Sequence, residues 1–280
     1  MNEVFIITPI ISRDIEVFLC NFTMCETIFL DLRGRANYYI ACQNFTEVEK
    51  EYFSARCFDI SANVHLIYLE INNVSVARNV LLNRISCKDD DVILFMDSSI
   101  KFSHEFLTHV LEMESHVLMA SNNIAPLKAS NQKKVIKFYD FVGHPYIWSF
   151  AFKWKTIAKS RFNEKLGPGD GTKYKSGEDV LFLHNVLKKI NYYVDYSAAC
   201  VYHPPRTNDY RKYLIYASGQ ANVIKALILH GDVFYTKAWA SFRLILFVFG
   251  SFRFIFHGRE GVKIFHRRLA SVICQNEVVI

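Results

Sequence analysis

Residues 92–99 read Val-Ile-Leu-Phe-Met-Asp-Ser-Ser, a run of five apolar residues that ends abruptly at Asp97. A short apolar run of this kind predicts a buried strand, and the polar residues after it predict a turn. In an open α/β sheet, ligands bind beyond the carboxyl ends of the strands. Asp97 is therefore predicted to be an exposed carboxylate on a rigid support, and the rest of the chain can be placed relative to it.

The chain before this stretch alternates between candidate strands and helices. Strands are predicted at residues 4–10, 38–42 and 64–69, with helices at 14–30, 44–56 and 74–85. This alternation predicts an α/β fold with a mixed, mainly parallel sheet and helices on both faces. The sequence Asn44-Phe-Thr-Glu47 resembles a capping box, so the second helix is expected to begin there.

After residue 103 the predicted elements become shorter. A helix is expected through Glu114 and another at 180–190, with strands at 117–120, 135–141, 146–152, 192–196 and 200–202. Pro204-Pro205 predicts the end of the sheet. We therefore expect an α/β domain over residues 1–205 and a helical C-terminal extension over residues 206–280.

The basic residues are unevenly distributed along the chain. Residues 1–205 hold 22 Lys/Arg and 23 Asp/Glu, a net charge of −1, whereas residues 206–280 hold 11 and 4, a net charge of +7. This distribution argues against a nucleic-acid partner for the main domain and favours an anionic surface as the partner of the C-terminal end.

The cysteines and the N-terminus indicate a cytoplasmic protein. The chain has seven cysteines and no Cys-x-x-Cys pair. Their positions in mostly apolar segments predict buried, reduced thiols. Met1-Asn-Glu3 lacks the basic residues that begin a signal peptide, so none is expected.

Residues 239–256 are densely apolar but contain Arg243 and Arg253. A membrane-spanning helix needs about 20 apolar residues with few charges. On a helix, Arg243, Gly250 and Arg253 fall on one narrow stripe, and more basic residues follow. This pattern favours a basic amphipathic helix in the membrane interface. A helix packed on the α/β domain and a membrane span are the two alternatives.

Three further groups of residues are candidates for chemistry. Asn73 to Asn79 begin a predicted helix, whose free N–H groups can bind an anion or a nucleobase carbonyl, although an ordinary N-cap explains them equally well. His203 follows an apolar strand and is held by Pro204-Pro205, so it can offer a neutral imidazole to a metal. A lone histidine is more often structural.

The third group is a glycine-rich loop, Gly167-Pro-Gly-Asp-Gly171, followed by Ser176-Gly-Glu-Asp179 at the start of a helix. Ser176 and Asp179 have capping-box spacing, which is a structural explanation. The functional interpretation is that one carboxylate acts as a general base, kept ionised by the helix dipole, while the loop backbone approaches a ligand closely.

Together these segments resemble glycosyltransferase family 2, of the GT-A fold, over roughly residues 4–205, and look most like bacterial enzymes that build capsule, O-antigen or exopolysaccharide repeats. The motifs that carry the resemblance are Val74-Ser-Val-Ala-Arg-Asn79, Leu94-Phe-Met-Asp97-Ser-Ser99, Phe162-Asn-Glu-Lys-Leu-Gly-Pro-Gly169, Ser176-Gly-Glu-Asp179 and Tyr202-His203-Pro204.

The resemblance implies transfer of a sugar, with inversion, from a nucleotide-diphospho-sugar of UDP type to a hydroxyl of a glycan or lipid-linked acceptor. It also implies a cytoplasmic enzyme, peripheral at the inner face of the membrane. The donor-binding positions would be Thr8, Pro9, Asn44, Arg78, Asn79, Asp97 and Ser98. Asp179 falls on the catalytic base, with Glu178 beside it. The acceptor-side candidates are Trp148, Gly167 and Gly169; a core aromatic is an equally good explanation of Trp148.

The expected metal site departs from the family pattern. A divalent cation, Mn²⁺ or Mg²⁺, would be held by Asp97, Ser99 and His203, but the family usually has a second acid where this chain has Ser99. A hydroxyl is a neutral and weaker ligand for such a cation. In one case, the metal is bound with reduced affinity and is held partly by the diphosphate itself. In the other case, cationic side chains neutralise the leaving group instead.

Two other classes of protein remain as alternatives. A nucleotidyltransferase would normally carry a glycine-rich, basic loop after its first strand, whereas Ile10-Ile-Ser-Arg-Asp14 contains no glycine. Ser99 also allows a relic of the same fold that binds sugar nucleotides or acts as a membrane scaffold without turnover.

Overall fold

The computed structural model describes residues 3–124, 134–137, 141–205, 210–231 and 234–273. Contacts divide the chain into two compact units. Unit 1 comprises Met1–Tyr139, Tyr146–Arg161 and Asn185–Pro205, and unit 2 comprises Asp140–Pro145, Phe162–His184 and Arg206–Ile280. The expected extension 206–280 thus belongs to a unit that also includes the glycine-rich loop and the Glu178-Asp179 segment.

Unit 1 contains a nine-stranded mixed sheet. Its strands are β1 Val4–Ile11, β2 Ala36–Gln43, β3 Val64–Leu69, β4 Val92–Phe95, β5 Lys101–Phe102, β6 Val117–Asn122, β7 Lys134–Lys137, β8 Phe150–Lys153 and β9 Tyr193–Tyr202. They lie in the order β3-β2-β1-β4-β8-β6-β9-β5, and β7 pairs with β9. The first four strands are all parallel, as the alternating pattern predicts.

The helices are α1 Ile15–Asp31, α2 Glu47–Ile60, α3 Val74–Arg84, α4 His104–Leu111, α5 Trp154–Ile157, α6 Glu178–Leu187, α7 Tyr210–His230, α8 Phe234–Phe252 and α9 Gly258–Ile273. In unit 1, helices cover both faces of the sheet. Phe18 of α1, Phe53 of α2 and Phe106 of α4 share one core with the strands. Helix α3 packs against β1 and β2 outside that core, through buried Ala77 and Leu81.

The predicted start of the second helix needs correction. Helix α2 is capped by Thr46 and Glu49, which form the capping box, and not by Asn44 and Glu47. Asn44 instead has a left-handed backbone with φ of 55°, a conformation that asparagine tolerates better than most residues. Thr8 and Pro9 lie within β1, as in the predicted strand 4–10, and β1 pairs with β2 as far as Ile11.

The second half of the sheet also differs from the predicted elements. The expected strands 192–196 and 200–202 form the single strand β9, whose pairing with β6 is interrupted by a register shift after Ala120. The expected strand 146–152 begins only at Phe150, because residues 147–149 form a 3-10 turn. Of the expected strand 135–141, residues 138–140 lie outside the described residues.

Unit 2 contains the helices α7, α8 and α9, which pack on one another. The helical segment Thr236–Ile273, of 38 residues, is long and apolar enough to cross a membrane, and 22% of its apolar stretch is buried. Residues 253–257 form a 3-10 turn between α8 and α9, and Gly258 has φ of 70°. By its length and composition alone, the segment Thr236–Ile273 is weak evidence of a membrane span.

Candidate functional site

The carboxyl ends of the parallel strands bring several of the predicted donor-binding residues to one edge of unit 1. The register pairs Ile7 with Phe95, the last residue of β4. Met96 N–H donates to Ile7 O at 2.9 Å. Thr8 and Pro9 therefore continue β1 alongside the turn that starts at Asp97. Thr8 is buried, whereas Asp97, Ser98 and Ser99 are partly exposed.

Asp97 forms an ion pair with Arg78 of α3. Arg78 Nη2 lies 2.9 Å from Asp97 Oδ1, and the Arg78 side chain is 3% exposed against 39% for Asp97. The guanidinium also lies 6.0 Å from the centre of the Phe95 ring. A charge-assisted hydrogen bond from a buried arginine fixes the direction of the carboxylate. The structure thus brings together two of the predicted donor-binding residues, and Asn79 is buried beside Arg78 on α3.

The turn after β4 is hydrogen-bonded to α1 and to a residue just before α1. Asn21 Nδ2 donates to Ser98 O at 2.9 Å, and Ser98 Oγ donates to Asp14 Oδ2 at 3.4 Å. Ile100 N–H donates back to Asp97 O at 3.0 Å. With both its ends tied, this turn presents Asp97 and Ser99 at a defined place.

The end of β2 is tied to the start of α3. Gln43 Oε1 accepts a hydrogen bond of 2.7 Å from Asn73 N–H. Asn73 Oδ1 in turn accepts from Val76 N–H and caps the helix. The helix entry predicted from the sequence is therefore an N-cap by Asn73. Exposed Asn44 follows directly, and its N–H donates to Leu69 O of β3 at 2.8 Å.

His203 has a fixed backbone and a fixed ring. Asn123 pairs with both of its backbone groups, accepting from His203 N–H at 2.9 Å and donating to His203 O at 2.8 Å. Nδ1 lies 2.6 Å from Pro204 O. Since a carbonyl only accepts, Nδ1 carries the proton and Nε2 keeps its lone pair in the neutral ring.

Trp148 lies in the core and stacks with two other rings. Trp148 is 4% exposed. The centre of its ring lies 5.2 Å from that of Tyr146 and 5.7 Å from that of His203. The core explanation offered by the sequence accounts for this placement.

The donor set does not fit a metal ion held by the protein alone. Among the described residues, no group of three or more His, Cys, Asp or Glu side chains is arranged to hold a metal. One oxygen of Asp97 is already paired with Arg78. Ser99 offers only a neutral hydroxyl. The mechanism proposed for this site therefore contains no step on a metal ion.

The glycine-rich loop of unit 2 is closed by its own hydrogen bonds. Gly167 N–H donates to Tyr174 O at 2.9 Å, and Tyr174 N–H donates to Lys165 O at 3.2 Å. Lys175 Nζ donates to Gly169 O and to Thr172 Oγ1, at 2.5 and 2.9 Å. Gly167 and Gly169, the predicted acceptor-side glycines, have φ of 101° and 127°. The loop is therefore an ordered element rather than a simple connection.

Glu178 and Asp179 are the first two residues of α6 and are both partly exposed. Leu181 N–H donates to Gly177 O at 3.1 Å, which begins the helical hydrogen bonding. Below this turn, Phe162 stacks on Phe182 with ring centres 4.1 Å apart. Acids at this position are favoured by the helix dipole, which stabilises their ionised form.

Sequence reasoning missed three residues that support these sites. Asn21 was hidden in the apolar run of α1, although one asparagine at a buried helical position is a usable signal. Gln43 lies at the end of a strand and had no motif to mark it. Lys175 belongs to none of the motifs singled out in the sequence, yet its ammonium donates to the loop carbonyl of Gly169.

Comparison with known proteins supports the fold. No family model and no curated protein matches the chain. Among solved structures, residues 1–349 of TarS from S. aureus in complex with UDP-GlcNAc match with a TM-score of 0.55 and 16% identity, over 97% of this chain and 82% of that one. The same fragment crystallised without a named ligand matches with a TM-score of 0.52 and 15% identity, over 99% and 73%.

A third similar structure is the mannosyltransferase PcManGT from Pyrobaculum calidifontis, in complex with GDP-Man and Mn²⁺. It has a TM-score of 0.58 and 10% identity, over 98% of this chain and 88% of that one. At such identities the likeness is one of fold. The predicted fold class is confirmed: this is a mixed α/β chain of the GT-A fold with a helical C-terminal part.

Proposed function

We propose that this protein is an inverting glycosyltransferase that moves a sugar from a nucleotide-diphospho-sugar to an acceptor hydroxyl. The observation that carries the proposal is the Arg78–Asp97 pair at the carboxyl edge of the parallel strands. Open α/β sheets bind ligands at this edge. The fold is shared with the structures of TarS in complex with UDP-GlcNAc and of PcManGT in complex with GDP-Man.

The proposed donor site lies along that edge. Thr8, Pro9 and Asn44 border the nucleoside, with Arg78 and Asn79 on the same side; Asp97 and Ser98 face the sugar diphosphate. A donor of UDP type is the first to test. Because Arg78 is buried and paired with Asp97, its role is to orient that carboxylate.

The proposed general base is Asp179, with Glu178 beside it. As the acceptor oxygen attacks the anomeric carbon from the face opposite the leaving diphosphate, Asp179 takes the proton of that hydroxyl. Inversion follows because one displacement forms the new bond while the old bond breaks. The acceptor would pass the loop that contains Gly167 and Gly169.

The first experiment is a donor screen. UDP-, GDP-, dTDP- and CMP-sugars are each added to the purified protein, and the thermal midpoint is recorded, since a ligand that binds only the folded state raises it. The stabilising donor is then used in a transfer assay with glycan acceptors. The proposal would be contradicted if no donor stabilised the protein, or if only the CMP-sugar did, because that donor carries a single phosphate.

Asp179→Asn tests the base directly. The variant is expected to keep donor binding and to lose turnover by a factor of about 10²–10⁴, the usual worth of general-base assistance. Donor binding is measured by calorimetry and turnover by nucleotide release. The same assay includes Mn²⁺, Mg²⁺ and EDTA arms, which test the predicted cation. Wild-type turnover in Asp179→Asn would remove this residue from the role.

One feature favours a second candidate, a donor-binding relic without turnover. Ser99 stands where the resembled family usually has an acid, and the described residues form no metal-holding group. Donor stabilisation without nucleotide release, with every acceptor and cation tried, would favour the relic.

We also propose that the enzyme works at the cytoplasmic face of the membrane on a lipid-linked acceptor of bacterial surface polysaccharide. An apolar tip supports this: Phe249, Phe252, Ile255 and Phe256, around the end of α8, are 68, 46, 40 and 87% exposed. Aromatic side chains beside basic residues are typical of helices that lie in the membrane interface.

Unit 2 also contains a basic groove. It has a volume of about 650 Å³, and Leu214, Val262 and Ala270 form its apolar part. Its cationic side chains are Arg259, Lys263 and Arg267, and His266 also lines it. Lys263 is partly offset by Glu260 at 2.5 Å. A lining that combines apolar and cationic side chains suits the acyl chain and the phosphate headgroup of an anionic lipid.

A further inference from the structure

Helix α7 approaches the turn before α6 with almost no space between the two backbones. Gly219, in the middle of α7, faces Ser176. A Cβ atom added at Gly219 would lie 2.2 Å from Ser176 O, 2.5 Å from Ser176 Oγ and 2.9 Å from Ser176 C. Two of these are backbone atoms, which cannot rotate away as the end of a long side chain can. Only glycine permits this approach.

The turn contributes a second glycine to the same contact. Gly177 has φ of 104°, in the left-handed region, and a Cβ atom there would lie 2.4 Å from Val223 Cγ2. Ser176 Oγ donates a hydrogen bond of 2.9 Å to Tyr216 O. Tyr216, Gly219 and Val223 are spaced by three and four residues, so they lie on one face of α7. This face therefore holds Ser176 and Gly177 by a hydrogen bond and by direct backbone packing.

The turn leads straight into the two acids. Gly177 O accepts the first helical hydrogen bond of α6, from Leu181 N–H at 3.1 Å. Glu178 and Asp179 lie between these two residues, so the place and direction of their side chains depend on where Ser176 and Gly177 are held. Any movement of the turn moves both carboxylates.

We propose that Gly219 is a positioning residue for catalysis, and that α7 serves as the support that aims Asp179. This inference rests on the proposed role of Asp179 as the general base. It makes residues 210–230 part of the catalytic machinery, whereas the sequence suggested an extension concerned with the membrane.

The test compares Gly219→Ala with Gly250→Ala. Both replace a glycine inside a helix of unit 2 and raise helix propensity. At Gly250, however, an added Cβ meets nothing within 4 Å. A displacement of about 1 Å can cost roughly 100-fold in rate. We therefore expect kcat to fall by about 10- to 100-fold in Gly219→Ala, with the donor KM nearly unchanged. Gly250→Ala should match the wild type.

Hydrogen exchange of the peptide covering residues 176–187 provides a readout that needs no activity. It should become faster in Gly219→Ala and stay unchanged in Gly250→Ala. If Gly219→Ala does not fold, Ser176→Ala, which loses only the bond to Tyr216 O, should show the same two effects to a smaller degree.

Two results would overturn the inference. One is wild-type kcat and exchange in Gly219→Ala; the other is an equal loss in Gly250→Ala. If the wild type itself transfers no sugar, the proposed function fails, and the exchange measurement alone still decides whether α7 holds the turn.

Discussion

At the residue scale, the ion pair at the sheet edge is asymmetric. Arg78 is nearly buried, whereas Asp97 is more than one third exposed. Removing Asp97 leaves the buried guanidinium of Arg78 without one of its acceptors. Removing Arg78 leaves the carboxylate of Asp97, which water can reach. The cost of breaking such a pair depends on which partner is left buried.

Asp97→Asn should therefore lower the free energy of unfolding by about 1.5–3 kcal/mol, the range for a hydrogen bond to a charged group. Urea denaturation measures it. Asp90→Asn is the matched control, because Asp90 pairs with Lys155 at 2.8 Å on the exposed surface. Such surface pairs contribute little, so no measurable change is expected there. Equal losses in both variants would show that burial of Arg78 is not the cause.

The carboxylate of Glu49 makes the stability of the protein depend on pH. Glu49 accepts hydrogen bonds from Ser12 Oγ and from the backbone and side chain of Thr46, and these lower the pKa of Glu49 below its ordinary value of 4.5. The unfolded chain therefore takes up this proton at higher pH than the folded chain does. The resulting stability is present above the ordinary value and is lost as pH falls through the folded pKa.

Glu49→Gln removes this contribution. Its thermal midpoint should lie below that of the wild type at neutral pH, and the difference should shrink as pH falls below about 4.5. Glu51→Gln, on the same helix, is the control. A difference that stays constant down to pH 3 would mean that the Glu49 charge is not what links α2 to Ser12.

At the element scale, α8 and α9 are fastened by a buried arginine. Arg268 Nε donates to Ser251 Oγ at 2.8 Å, and Nη2 donates to Phe247 O at 3.2 Å. Its guanidinium also lies 3.7 Å from the centre of the Phe247 ring. Burial lowers the pKa of Arg268 to about 10, so it remains protonated at neutral pH.

Arg268→Ala is expected to destabilise unit 2 by about 2–4 kcal/mol, since it removes charge-assisted hydrogen bonds and buried side-chain volume together. Its neighbour Arg267 points outward and is exposed, so Arg267→Ala should be nearly neutral. Urea unfolding followed by tryptophan fluorescence, which includes Trp239 of α8, measures both. Equal stability of the two variants would contradict the fastening role.

The elements that the sequence predicts well are those whose pattern is local. The first four strands and three helices follow from short apolar runs and helical spacing, and their bounds are close to those observed. The later strands pair with distant partners, so local patterns could not show that residues 193–202 form one strand. Trp148 falls inside the predicted strand 146–152 but lies in the 3-10 turn that precedes β8.

For the candidate site, the sequence shows which residues carry charge but not which of them touch. Asp97, Arg78, Glu178 and Asp179 were all named from motifs. The Arg78–Asp97 pair and the close approach of Gly219 to Ser176 depend on tertiary packing between segments 19 and 43 residues apart.

At the scale of the whole molecule, the charge of the chain is concentrated where the structure has its apolar tip and basic groove. The net +7 of residues 206–280 contrasts with the −1 of the rest. In α9 the buried residues Gly261, Ile264, Arg268 and Ser271 follow helical spacing and face the bundle. The basic residues Arg259, Lys263 and Arg267 are exposed. A surface of this composition binds membranes by adding apolar insertion to attraction by anionic lipids.

The triple variant Arg259→Gln/Lys263→Gln/Arg267→Gln should therefore bind phosphatidylglycerol vesicles much more weakly, since each basic residue near the surface is worth about 1 kcal/mol. Cosedimentation measures it. The control loses the same charge elsewhere, at exposed Arg56, Arg84 and Lys88 of unit 1, and should bind as the wild type does. Phe252→Ser/Phe256→Ser should weaken binding even at high salt, which screens charges but not apolar contacts. Equal binding by the groove variant and the control would contradict the groove as the lipid site. If residues 236–273 instead span the bilayer, cell membranes would retain the protein after washes with high salt and alkali, whatever the charge of the groove.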